Sequence, residues 1–320
     1  MTVRYFVAAL GIILLSTVSL PAFATTLHVI VVGDTEDPNI GVGVETDTKK
    51  FSREMERVAE ATGLTLSDIV VKGSNFTVQN LVRTIRGIRV NPDDVIVFLY
   101  SGHGQGEPGK ETMWPYMMVP DPESGKYAHA DFADVVDLLG EQKPRLLVAL
   151  ADACNNFGSD AKGARNSRDQ GIPIRPLTMD VKAGYQRLFL EGRGILIAAA
   201  ASPSEVANGE VSGGVLTNGF LMALVDEVEH SSPSWESVAV AATVPISRTS
   251  PSGRTERQTP IYRIDMAKTS SQDAFSGFSS NTSRSDTGGI VSDSVLTPAP
   301  DRSSSPPPLR SDDDTMNLFK

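Results

Sequence analysis

Two residues in this chain have the types and the setting for covalent acyl chemistry. His103 lies in Tyr100-Ser101-Gly102-His103-Gly104, and Cys154, the single cysteine of the 320-residue sequence, lies in Asp152-Ala153-Cys154. A thiol is a weak nucleophile until it loses its proton, and an imidazole beside it can take that proton and steady the thiolate. The glycines flanking His103 let the backbone bend sharply and let another molecule come close. The pair matters more than either member. A lone loop histidine is usually only solvated, and a lone cysteine is most often buried and inert. His28, His129 and His230 have no partner pattern, and no Cys/His spacing in the chain supports a zinc site, so no metal ligand is assigned.

Such a pair needs two rigid elements that end side by side. Val95–Tyr100 is a continuous apolar run that stops at Ser-Gly-His-Gly, and Leu146–Ala151 is a second that stops at Asp-Ala-Cys. Runs of this kind, bounded by turn residues, read as strands buried on both faces. Open α/β sheets place their ligands where such strands run out. Leu27–Val32 and Gly194–Ala201 read the same way, and Leu66–Val71 as a shorter strand. Between them, apolar residues at helical spacing predict helices over Thr46–Thr62, Thr77–Ile88, from about Asp131 to Leu139, Leu216–Val228 and Trp235–Ala242. Gly104–Gly125, with its Met-Trp-Pro-Tyr cluster, reads as a loop, and Gln258–Arg263 as a last extended piece. Strand and helix alternate. The expected fold is therefore α/β, with a mostly parallel central sheet flanked by helices on both faces.

The ends of the chain differ in composition from this domain. Residues 1–24 carry one charge, Arg4, an apolar segment from Phe6 to Val18, and Ala22-Phe23-Ala24, which fits the small-x-small rule for signal cleavage. The segment falls short of the roughly 18 apolar residues of a membrane span. Export to a periplasmic or extracellular space is the expectation, with no stable membrane insertion once the leader is cut. Loss of Arg4 then takes the net charge from −10 to −11. An acidic chain with no basic run is a poor candidate for binding nucleic acid. From residue 267 onward the chain is rich in serine and proline and poor in apolar residues, so 267–320 reads as a disordered tail and 25–266 as the folded domain. In an oxidising compartment an unpaired thiol is inert, bridged to another chain, or a working nucleophile.

Cys154 follows His103 by about 50 residues, the order and spacing of caspases. Tyr-Ser-Gly-His-Gly at 100–104 and Asp-Ala-Cys at 152–154 resemble the two catalytic signatures of caspase-like cysteine peptidases, closest to the metacaspase and bacterial caspase-like branch. Ala201–Ala207, Gly214–Phe220 and Gln258-Thr259-Pro260 resemble further stretches of that family. The resemblance implies that His103 is the general base and Cys154 the nucleophile of an endopeptidase acting on proteins or peptides. It implies an oxyanion hole built from the backbone N–H groups of Gly104 and Cys154. It also places Asp152 in the primary specificity pocket, with Asp47 the best match for a second acid there. Carboxylates at a pocket floor attract a cationic side chain, so cleavage after Arg or Lys is expected. Two features depart from the family pattern. Asn155-Asn156-Phe157 stands where metacaspases usually have His-Ser-Gly. Tyr127–Asp131 holds one acid where calcium-dependent members have several, which argues against calcium, and no other cofactor is implied.

Other readings remain beside this one. A catalytically dead caspase fold would serve as a binding module, and a legumain-type peptidase would also pair a strand-ending His with a strand-ending Cys. Asp152 has a purely structural reading as a cap, and Trp114 and Tyr116 either line the cleft or only pack. The polar segment Asn155–Gly184 holds Arg165, Arg168, Arg175 and Lys182, which are self-cleavage sites or merely a solvated loop.

Overall fold

The computed structural model describes residues 25–157, 172–249 and 255–267. The leader, the tail beyond 267 and the segment with Lys162, Arg165 and Arg168 lie outside the described residues. In chain order the elements are β1 (Thr26–Gly33), α1 (Gly41–Thr62), β2 (Thr65–Lys72), α2 (Val78–Gly87), β3 (Val95–Ser101), β4 (Gly104–Gln105), β5 (Tyr116–Asp121), β6 (Lys126–Asp131), α3 (Phe132–Gly140) and β7 (Leu146–Asp152). They continue with α4 (Met179–Gln186), β8 (Gly194–Ala199), β9 (Gly209–Glu210), β10 (Gly213–Gly214), α5 (Val215–Glu227), α6 (Trp235–Ala242), β11 (Ile246–Thr249), β12 (Thr255–Gln258) and β13 (Ile261–Met266).

The central sheet has the order β13-β8-β7-β3-β1-β2. Neighbours from β2 to β8 run parallel, and β13 closes the edge antiparallel to β8. Alternation along each strand sorts the core into two layers. Leu27, Val29, Val31, Val97, Leu99 and Val148 face a cluster completed by α1, α4, α5 and α6. Ile30, Val32, Phe98, Tyr100, Leu147 and Ala149 face the other, completed by α2 and α3. Helices thus cover both faces, as the unbroken apolar strands require.

Local chemistry sets the helix ends. Thr77, Asp131, Thr178 and Ser234 each accept a hydrogen bond from a backbone amide in the first turn of the helix they precede. Helix α1 ends on Gly63 at φ 75°, in the left-handed region. It begins at Gly41, earlier than the apolar spacing predicts. Asp37 Oδ1 takes the amides of Asn39 and Ile40 at 2.7 and 2.9 Å and so starts the helix upstream of its apolar face.

One expectation is corrected. Gly104–Gly125 is no simple loop, because β4, β5 and β6 form a three-stranded antiparallel unit beside the main sheet. Its glycines, prolines and short pairings hide the period of two. Trp114 is buried edge-on to Phe132, at 6.1 Å between ring centroids. Tyr116 bonds Glu107 and lies under Lys110. Both aromatics pack. Further along, Lys182 falls inside α4, and Arg175 is ion-paired to Asp226 and Glu229.

Tyr100 ties the two sheets together. Its hydroxyl lies 2.6 Å from the carbonyl oxygen of His103 and 3.1 Å from that of Met118. Tyr100→Phe leaves these carbonyls without that donor. It should lower unfolding free energy by about 1–2 kcal/mol in a denaturant titration, and an unchanged midpoint would show that the clamp adds nothing.

Candidate active site

Strands β1, β3 and β7 end in register. Gly33 stands opposite Ser101, and Ser101 opposite Asp152. The chain leaves the sheet just after each of these residues. It reaches Asp34 and Asp37 from the first strand, His103 from the second and Cys154 from the third. His103, Cys154, Asp152 and Asp47 line one cavity, together with Ala207 and Gly214. The structure therefore brings together the two residues expected to react and the two expected to bind.

The backbone around the nucleophile is tightly held. A Cβ at Gly104 would overlap the carbonyl oxygen of Cys154, so only glycine lets the His103 loop lie against the Cys154 peptide. The Gly104 and Cys154 amides thereby come into the same small region. Cys154 Sγ lies 3.7 Å from the carbonyl oxygen of Ala207. Burial pushes the thiol above its ordinary value, with the Ala207 contact opposing and Asp152 adding to the rise.

Asn155 resolves the departure noted in the sequence. It is buried, and its Nδ2 donates to the carbonyls of Met113 at 2.8 Å and Ala201 at 3.2 Å. Its own N–H and C=O pair with Glu205 and Ser204. A short amide thus fixes the turn after Cys154 to two other loops. Gln258 does similar work from the far end of the chain. Its Oε1 accepts from the Asn208 amide at 2.8 Å, and its Nε2 donates to Ala200 at 2.9 Å. This braces the loop that carries Ala207.

Asp47 and Asp152 are both buried. They flank one dipeptide: a Cβ on Gly213 would overlap Asp47, and one on Gly214 would overlap Asp152. Asp47 accepts from Ser101 Oγ at 2.8 Å and from the Gly214 amide at 2.9 Å. Asp152 Oδ2 accepts from the amide and hydroxyl of Thr217 at 2.7 and 2.8 Å, so it also caps α5. Burial raises both carboxyls above the ordinary range. For Asp47 the neighbouring Asp152 charge adds to the rise.

Asp37 is a site residue that the sequence did not reveal. Its Oδ2 lies 3.0 Å from His103 Nε2. Burial works against its charge, but the Ile40 and Asn39 amides and the His103 ring together hold the carboxyl below its usual range. It sits in an acidic turn two strands away in sequence, and only the register of β1 against β3 places it on the imidazole.

The family model of the caspase domain matches residues 41–270. The chain belongs to the caspase-domain family. The caspase fold is that of the central sheet described above, and the family is one of cysteine peptidases, whose substrates are proteins. No curated protein matches the sequence. Among solved structures, the caspase domain is similar to a structural-genomics protein of Geobacter sulfurreducens, with a TM-score of 0.43 and 14% identity over 75% of this chain and 93% of that one. It is also similar to caspase-1 of Spodoptera frugiperda, with a TM-score of 0.43 and 12% identity over 75% of this chain and 87% of that one. Among the described residues of the caspase domain, no helix is long and apolar enough to cross a membrane.

Cys154 is the only cysteine, so iodoacetamide reports on it alone. Its alkylation rate should climb with pH and show no plateau below about pH 8.5, the ordinary thiol value. A plateau near neutrality would mean a preformed thiolate–imidazolium pair. The acidic pair makes a prediction about stability. An acid whose folded pKa lies above its unfolded value contributes no penalty below the unfolded value. As pH rises through that value, the folded form keeps the proton that the unfolded chain releases, and stability falls. Asp47→Asn should therefore melt above the wild type, by a margin that widens from pH 4 to pH 7. A constant or reversed margin would show that the pair carries no such penalty.

Proposed function

We propose that the protein is a cysteine endopeptidase that cuts after Arg or Lys through a His103–Cys154 dyad. The observation that carries this reading is the shared cavity, which a thiol, an imidazole and two buried carboxylates line together. The neutral thiol gives its proton to His103 as sulfur attacks the scissile carbonyl. The Gly104 and Cys154 amides stabilise the oxyanion, and the imidazolium then protonates the leaving amine. Water hydrolyses the acyl-enzyme with His103 acting as base again. Asp37 serves as the positioning residue. With Nε2–H held on this carboxylate, Nδ1 is left to take the thiol proton, and the imidazolium gains a counter-charge.

Specificity follows from electrostatics. Two buried carboxylates in contact with one dipeptide repel each other, and a guanidinium or ammonium inserted between substrate backbone and pocket floor relieves that repulsion. A neutral or acidic side chain offers no such relief. This favours the basic-specific reading over a legumain-like preference for Asn. An intact dyad weighs against a binding module without activity. The polar basic stretch around Arg165 and Arg168 is a substrate of the matching chemistry, and the apolar leader fits an exported enzyme.

A fluorogenic peptide panel on the purified protein tests the reading. Basic residues before the cut should be preferred, and Cys154→Ala and His103→Ala should abolish turnover with the fold intact by circular dichroism. Asp152→Asn should lower kcat/KM for basic peptides at least roughly thirtyfold. That is the lower end of the ~2–5 kcal/mol at stake when a desolvated charge loses its partner. Asp37→Asn should lower kcat more than it raises KM. Full activity in Cys154→Ala, or a preference for Asp or Asn before the cut, would overturn the assignment.

A further inference from the structure

We propose that Asp34, Asp37 and His103 form a site for a zinc-class divalent cation, and that its occupation shuts the enzyme off. One carboxylate oxygen from each aspartate and one ring nitrogen of His103 all lie within 4.8 Å of one another. Two carboxylates and an imidazole make a three-ligand set with room for water in a fourth position, the usual pattern of an open zinc site.

The independent observation is Asp34. The residue is 6% exposed, and its Oδ2 is buried with no hydrogen-bond partner among the described residues. A buried carboxylate oxygen without a donor is costly, and native structures seldom leave one without a reason. Asp37 and His103 already satisfy each other at 3.0 Å, and neither gives Asp34 Oδ2 a hydrogen bond. A cation would satisfy that oxygen, because it is the one partner that all three groups attract together.

The geometry needs only small motions. Bonds of about 2.1 Å in a tetrahedral array put ligand atoms roughly 3.4 Å apart. One pair is already at 3.0 Å, and rotation of the Asp34 carboxylate and of the imidazole ring brings the rest into range. The donor set also selects the ion. Calcium takes six to eight oxygens in general, whereas an imidazole nitrogen suits zinc and its neighbours in the first transition row.

The consequence for catalysis rests on the peptidase reading above. A metal on Nε2 replaces the Asp37 hydrogen bond, turns the ring and lowers its basicity, so His103 can no longer take the Cys154 proton. Binding itself needs no thiol and no turnover, which separates this site from a simple Cys–His chelate.

Zinc titrated into Cys154→Ala, followed calorimetrically, tests binding apart from activity. The expected result is one equivalent bound. Adding Asp34→Asn should weaken it by at least roughly a hundredfold, since even outer-shell partners are worth about 10–100-fold. Cobalt(II) on the wild type should give a ligand-field spectrum without a sulfur-to-metal charge-transfer band, a readout that needs no variant to fold. In the activity arm, zinc should inhibit the wild type reversibly with EDTA, and Asp34→Asn, measured against its own zinc-free turnover, should need at least roughly a hundredfold more zinc for half-inhibition. Absence of binding in Cys154→Ala, a sulfur band with cobalt, calcium binding in place of zinc, or unchanged affinity in Asp34→Asn would each overturn the site. If no peptide is cut at all, the peptidase reading fails while the calorimetry still decides the metal.

Discussion

Gly33, Ser101 and Asp152 form one row across three parallel strands, and the rest of the site depends on that row. Parallel pairing forces β1, β3 and β7 to end on the same edge of the sheet. A slip of one residue would turn every buried side chain to the opposite face, so the apolar sorting between the two core layers holds the register firm. What leaves the sheet at the row is then close-set by construction. An acidic turn, a histidine and a cysteine, far apart in the chain, become neighbours with no long side chain reaching for another. The short loops need glycine where backbones touch, as at Gly104 against Cys154 and Gly106 against Asn155.

The site concentrates negative charge where water is scarce. Asp34, Asp37, Asp47 and Asp152 all sit within or beside it, and they are handled differently. Asp37 is given two amides and a ring nitrogen. Asp152 is given the first turn of α5, and Asp47 a serine and a glycine amide. Asp34 Oδ2 is given no donor among the described residues. Hydrogen bonds to a buried carboxylate offset part of its desolvation, and a like charge nearby undoes part of that gain. A pocket built this way is less stable than an apolar one of equal size, and its residual field points at whatever cation enters.

The strands, and the placing of His103 and Cys154 just beyond their ends, were legible in the sequence because both depend on short, local patterns. An apolar run followed by Gly-His-Gly or Asp-Ala-Cys carries its meaning in a dozen residues. Helices α2, α3, α5 and α6 were legible for the same reason, within a residue or two at each end. Asp47 was reached only through the family resemblance, since nothing in the periodicity of α1 marks a buried acid on its inner face. Asp37 and Asp34 were hidden altogether, because an Asp-rich turn before a helix looks like ordinary solvated loop until the partner strand is placed. The β4–β6 unit was missed for want of alternation, and Asn155 because its partners, Met113, Ala201, Ser204 and Glu205, come from two other parts of the chain.

Gln258 lies in the last stretch of the domain, yet it steadies the loop opposite the nucleophile. Synthesis runs from the other end. By the time residue 155 has been made, both reactive side chains exist, but the wall that faces the thiol has no brace for a further hundred or so positions of chain. Contacts of such long sequence separation form late, because loop closure must come first. A nascent or truncated chain that stops short of Gln258 therefore carries both His103 and Cys154 inside an incomplete cleft. For a member of a family of cysteine peptidases, the order in which the fold closes works as a timer set by the length of the chain itself.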